Sequence, residues 1–131
     1  MLYLAYGSNL NKMQMAKRCP KAKALDNYIL KGYKLEFRRV ANIKKSNKTD
    51  QIGCGIWEIT ETCEKSLDIY EGYPHLYGKI KIKLDDGREV MTYFMNSGFR
   101  APPSSEYLNT IIQGYRDFKL PFNLLNKNFN K

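Results

Sequence analysis

Leu2-Tyr3-Leu4-Ala5-Tyr6-Gly7-Ser8-Asn9-Leu10 is the stretch on which the fold turns. Residues 1–6 are rich in Leu and Tyr and read as a first β-strand. Gly7-Ser8-Asn9 breaks that strand, and Ser8 or Asn9 can cap a helix from about Leu10 to Arg18. A strand that runs through a glycine into a helix start presents free backbone N–H groups, and the helix dipole favours negative charge there. Gly7 lets a ligand come close to the backbone. The pattern has two readings, an anion-binding loop or a plain helix cap, and local physics alone favours the cap.

Beyond this stretch, strand and helix signals alternate. Ala22 to Leu30 and Tyr33 to Val40 read as two strands around Lys31-Gly32. Asn42 to Asp50 is polar and basic and reads as a surface loop. Ile52 to Ile59 is a further strand. Thr60 then caps a helix on which Cys63, Leu67 and Tyr70 share a face by i, i+4, i+7 spacing. Tyr77 to Leu84 and Arg88 to Met95 flank Asp85-Asp86-Gly87, a hairpin signal. After a loop over Asn96 to Pro103, Ser104 caps a helix whose apolar stripe is Tyr107, Leu108, Ile111, Ile112 and Tyr115. Pro121 can start a short terminal helix. The expectation is an α+β fold: five to six strands in a small mixed or antiparallel sheet, curled toward a barrel, with a few short helices. Residues 1–131 are read as a single domain.

A second motif is Leu67-Asp68-Ile69-Tyr70-Glu71-Gly72-Tyr73-Pro74. Asp68 and Glu71 are i, i+3 neighbours and can face one cleft. Glu71 falls at a helix end, where the dipole disfavours a carboxylate, and its sequence neighbours are aromatic. A carboxylate there has a raised pKa and can shuttle protons. The plain alternative is a solvated acid on a helix surface.

The chain carries a net charge of +9, and all of it lies in residues 1–50, where 12 Lys and Arg face three acids. Such a basic half invites a nucleic-acid reading, with Tyr33 and Phe37 flanking Arg38 and Arg39. The commoner reading is a solvated surface, one on which Lys12, Lys17 and Arg18 draw in an anionic ligand. Cys19, Cys54 and Cys63 are an odd count without CxxC spacing, and His75 is the only histidine, so neither a disulfide framework nor a zinc site is expected. Cys54 and Cys63 fall on apolar positions and read as core. That cysteine usage reads as a reduced, cytoplasmic protein. No apolar run reaches about 18 residues and the N-terminus does not read as a signal peptide, so no membrane partner is expected.

Tyr6-Gly7-Ser8-Asn9 followed mid-chain by Leu67-Asp68-x-x-Glu71-Gly72 resembles the gamma-glutamylcyclotransferase-like (AIG2-like) family. Leu30-x-Gly32-Tyr33-x-Leu35-x-Phe37, which looks like the family's second hairpin, together with Gly55-x-Trp57-x-Ile59, Tyr93, Pro103-Ser104-x-x-Tyr107 and Ile111-x-x-Gly114, extends the likeness over most of the chain. The resemblance implies a barrel-like α+β fold with a cleft at its mouth. It implies that the loop of Gly7, Ser8 and Asn9 holds a substrate carboxylate, and that Glu71 is the acid/base. Tyr6, Tyr77 and Tyr93 are candidates for orienting Glu71 or the substrate. The implied reaction releases 5-oxoproline from a small gamma-glutamyl compound, with no cofactor and no metal. Within that family both gamma-glutamyl amino acids and gamma-glutamylamines are possible substrates, and the resemblance of the Tyr-Gly-Ser-Asn loop implies an α-amino acid as the favoured leaving group. Two other classes remain: a non-catalytic protein that binds small anions, and, less favoured, a basic nucleic-acid-binding barrel.

Overall fold

In the computed structural model, which describes residues 1–125, the chain runs β1 (Leu2–Ala5), a 3-10 turn (Ser8–Leu10), α1 (Lys12–Arg18), β2 (Lys23–Lys31), β3 (Tyr33–Arg38), β4 (Val40–Lys45) and β5 (Gln51–Glu58). It continues through α2 (Glu61–Glu71), β6 (Tyr77–Lys83), β7 (Glu89–Met95) and α3 (Ser105–Asp117). Residues 123–125 are helical, and the rest of the expected terminal helix lies outside the described residues.

Five strands form one mixed sheet in the order β2-β5-β1-β7-β6. β1 sits at its centre, antiparallel to β5 and parallel to β7. Tyr3, Leu4 and Ala5 are buried, as a central strand covered on both faces requires. The sheet is open, but it curls: Arg88, just before β7, pairs with Asp26 on the opposite edge strand, and the Asp85 N–H donates to the Tyr28 hydroxyl on that same strand. The barrel-like expectation holds in this form.

Two sequence expectations need correction. β2 and β3 do not form a hairpin around Gly32; β2 pairs with β5, and β3 pairs with β4 in a separate ribbon. Nor is all of 42–50 a loop. Val40–Lys45 is a strand, with Ala41, Asn42 and Ile43 buried. Asn42 looks like a loop residue in sequence, but its side chain bolts the ribbon to the main sheet. Its Oδ1 accepts from Met95 N–H at 2.7 Å, and its amide donates to Glu36, which also pairs with Arg38. A buried amide with both ends satisfied is stable where an unpaired one would be costly. Among the described residues the strand count is therefore seven rather than five or six.

The core runs under the whole sheet. Leu4, Leu10, Met15, Leu67 and Ile111 are fully enclosed, each contributing about 1.5–3 kcal/mol by its removal from water. Among the described residues no helix is long and apolar enough to cross a membrane.

Candidate active site

The chain leaves β1 at Ala5 and passes through Tyr6 and Gly7 into the 3-10 turn. The helix that follows starts at Lys12, not Leu10. Its cap is Asn11, whose side chain accepts from Gln14 N–H at 3.0 Å, and not Ser8 or Asn9. The extra turn frees Ser8 and Asn9 from capping. Among the described residues, the backbone N–H groups of Gly7, Ser8 and Asn9 donate to no acceptor, while the Gly7 and Ser8 carbonyls accept from Leu10 and Asn11.

α3 holds this loop in place. A Cβ on Gly114 would lie 2.5 Å from Leu10 Cβ and 2.8 Å from Asn11 N, so only glycine lets the helix sit so close. The Asn11 amide donates to the Thr110 carbonyl, and Lys12 N–H donates to Asp117. On the other side, Trp57 Nε1 donates to the Asn9 carbonyl at 3.1 Å. Gly7 abuts the ribbon, where a Cβ would meet Ala41 Cβ at 3.0 Å.

Opposite the loop, α2 delivers Glu71. Thr60 caps the helix through Cys63 N–H, and Glu61 and Glu64 in the first turn suit its dipole. Cys63 and Leu67 point into the core. Gly72 adopts the left-handed conformation, φ +66°, and ends the helix immediately after Glu71. The C-terminal turn carries no basic residue to offset this carboxylate.

Tyr3, Tyr6, Gly7, Ser8, Asn9, Val40, Ala41, Tyr70, Glu71, Leu76, Tyr77, Tyr93 and Tyr107 line one cleft of about 210 Å³. The seven residues singled out in the sequence, Tyr6, Gly7, Ser8, Asn9, Glu71, Tyr77 and Tyr93, all lie on it. Burial among the tyrosines raises Glu71 from 4.5 to about 7, opposed by the Arg18 charge. No described residue donates a hydrogen bond to the Glu71 carboxylate.

Asp68 does not join Glu71 at the cleft. It accepts the Tyr93 hydroxyl at 2.6 Å and pairs with Lys79 at 2.8 Å, and Lys79 also holds Glu64. Nor do the candidate tyrosines orient Glu71. The Tyr6 hydroxyl donates to the Tyr93 carbonyl at 2.8 Å, and the Tyr77 hydroxyl donates to the Ala41 carbonyl at 2.9 Å. Burial pushes the phenols of Tyr3, Tyr6, Tyr77 and Tyr93 well above the ordinary tyrosine range, and Tyr107 up to about 12, so all five stay protonated at neutral pH.

Sequence reasoning missed Tyr3, Tyr70 and Tyr107. With 10 tyrosines in the chain, residue type alone picks out none of them. Tyr107 carried the best signal, because a helix capped at Ser104 turns its third residue inward; its hydroxyl accepts from Ala41 N–H at 3.0 Å. The Tyr70 hydroxyl shares a hydrogen bond with Ser8 Oγ at 3.1 Å, which ties α2 to the loop. Of the three basic residues expected to draw in an anion, Arg18 acts on Glu71, whereas Lys12 lines a separate shallow depression with Asp117 and Phe118. Phe37, needed for the nucleic-acid reading, is buried, and Arg38 is paired with Glu36. All three cysteines are buried and free. Among the described residues no group of three or more His, Cys, Asp and Glu is placed to hold a metal.

Residues 3–114 match the model of a family described as gamma-glutamyl cyclotransferase, AIG2-like. A gamma-glutamylcyclotransferase of Homo sapiens is 28% identical over 137 aligned positions, spanning 92% of this chain and 72% of that protein. Its counterpart in Mus musculus is 29% identical over the same spans. Among solved structures, a gamma-glutamyl cyclotransferase superposes with a TM-score of 0.86 at 28% identity, covering 98% of this chain and 86% of the other.

Proposed function

The chain belongs to the gamma-glutamyl cyclotransferase, AIG2-like family, and from that membership we propose that it is an enzyme releasing 5-oxoproline from a small gamma-glutamyl compound, with Glu71 as its acid/base. The observation that carries the reading is the juxtaposition of an unsatisfied amide loop and a desolvated carboxylate across one small cleft.

A gamma-glutamyl compound brings its own nucleophile. Its α-amine attacks the γ-carbonyl carbon, a C–N bond closes the five-membered ring, and the amide bond to the leaving amine breaks. The proton lost by the attacking nitrogen ends on the leaving nitrogen, so the products are 5-oxoproline and the free amine, and no water is consumed. The protein must hold the substrate bent and carry protons from the attacking to the leaving nitrogen: one from the neutral amine, two from its ammonium form.

The N–H groups of Gly7, Ser8 and Asn9 suit the substrate's α-carboxylate. Holding amine and carbonyl as near-attack neighbours lowers the barrier by several kcal/mol. Raised to about 7, Glu71 is a stronger base than an exposed glutamate: it can take a proton from the α-ammonium and give it to the leaving nitrogen, then carry the second proton, shed by the ring nitrogen on closure, to the departing amine, which leaves as ammonium. Burial among the tyrosine side chains is what raises the basicity of Glu71. The test is a panel of gamma-glutamyl amino acids and gamma-glutamyl amines, scored by chromatographic detection of 5-oxoproline. Release from at least one compound at a rate proportional to protein supports the reading, and no release from any of them rejects it.

A further inference from the structure

Asn9 is buried, at 3% exposure, yet its side chain sits between a cation and a phenol. Arg18 Nη1 donates to Asn9 Oδ1 at 2.8 Å, and Asn9 Nδ2 donates to the Tyr3 hydroxyl oxygen at 3.0 Å. The order of the groups fixes the direction of every bond. A guanidinium carries only donors, so the amide oxygen must face Arg18 and the NH2 must face Tyr3. The Tyr3 oxygen is then an acceptor, and its own proton must point elsewhere. Among the described residues that proton has no acceptor, while Tyr3 lines the cleft close enough to Glu71 for the carboxylate to act on its phenol.

Arg18 is itself held rigidly. Its Nη2 donates to Gln14 Oε1 at 3.2 Å, and its guanidinium carbon lies 3.6 Å from the centroid of the Tyr70 ring. A lysine keeps the charge but cannot donate two ways in a plane and stack at once.

Resting on the cyclotransferase reading, we propose that Arg18 is a positioning residue which, through Asn9, turns the Tyr3 hydroxyl proton into the cleft, where Tyr3 donates it as a hydrogen bond to the substrate's γ-carbonyl oxygen as negative charge develops there. The relay supplies what Tyr6, Tyr77 and Tyr93 do not. Tyr6, Tyr77 and Tyr93 have each committed their proton to a carbonyl or to Asp68. No proton leaves Tyr3 in this step; the bond shortens as the carbonyl carbon becomes tetrahedral and relaxes when the leaving amine departs.

The experiment is a double-mutant cycle on kcat with Y3F, R18K and the pair, each checked for folding by circular dichroism. Y3F lowers kcat about 10²-fold with KM little changed, the loss typical of one removed oxyanion donor. R18K lowers kcat on the order of 10-fold, because a misaimed donor is a weaker one. In the Y3F background, R18K adds less than about twofold, since nothing remains for Arg18 to aim. The acid limb of the pH profile stays in place in R18K, which separates aiming from the Arg18 charge. Full additivity of the two losses, or wild-type kcat in Y3F, overturns the proposal. A second readout is independent of turnover. The Asn9 side-chain amide signals in a 15N-labelled protein shift in both Y3F and R18K if the relay exists, and unshifted signals in R18K overturn it. A wild-type protein that releases no 5-oxoproline while those signals respond rejects the cyclotransferase reading and leaves the relay standing.

Discussion

The Tyr93 hydroxyl donates to Asp68 Oδ1 at 2.6 Å, one helical turn before Glu71. Lys79 reaches the same carboxylate at 2.8 Å and lies 4.3 Å from the centroid of the Tyr73 ring, just beyond the end of α2. A strand tyrosine, a strand lysine and a helix aspartate thus pin the turn of α2 that carries the catalytic candidate. D68N removes the charge and half of this clamp. We expect a loss of about 1–2 kcal/mol in stability, since Asp68 is charged and pairs with Lys79 but is a quarter exposed, and a lower kcat from a loosened Glu71. Urea unfolding and steady-state kinetics on one preparation check both.

Gly114→Ala tests the support of the loop from the opposite side. The added methyl falls 2.5 Å from Leu10 Cβ and within 2.8 Å of backbone, so the 3-10 turn or α3 must shift. We expect about 1–3 kcal/mol of destabilisation and a raised KM, because the displaced N–H groups are those assigned to the substrate carboxylate. A KM unchanged within error would detach the loop from binding.

The pH profile follows from Glu71. In the proposed reaction Glu71 acts first as a base and must be ionised, so kcat/KM should fall as pH drops through about 7. A solvated glutamate would place that limb near 4.5. Measuring kcat/KM from pH 5 to 9 distinguishes the two.

The same shift has a consequence for stability, with the opposite sense. Burial raises the folded-state value of Glu71 from 4.5 to about 7, so the folded state holds a proton that the unfolded state has released between those values. The contribution is fully present below about pH 4.5 and is lost as pH rises through about 7. E71Q has no charge to desolvate. It should therefore match wild type near pH 4.5 and exceed it by about 1–3 kcal/mol at pH 8, where wild type bears a half-buried carboxylate. Thermal melts of both proteins at the two pH values provide the comparison.

How much of this was legible in the sequence depended on range. Local signals carried α2 from its Thr60 cap to Gly72, the β6–β7 hairpin through Asp85-Asp86-Gly87, and α3 from Ser104, because caps and tight turns are chemistry within a few residues. Pairing was not legible. Lys31-Gly32 has the look of a hairpin turn, yet β2 reaches across to β5 and β3 to β4, a choice made by which faces bury together. Asn42 read as loop because its partners, Met95 and Glu36, lie on other strands. The site was legible as two motifs, Tyr6 to Asn9 and Leu67 to Gly72, but not as a walled cleft, because the hydroxyls of Tyr3, Tyr70 and Tyr107 find their places only through long-range contacts.

The most direct measurement is 5-oxoproline release from a gamma-glutamyl substrate by wild type and by E71Q at pH 8, with substrate binding followed by calorimetry on the same samples. The expected result is release by wild type, a loss of at least about 10²-fold in E71Q, and binding retained in both. Equal release by the two proteins would contradict the assignment of Glu71 as the acid/base.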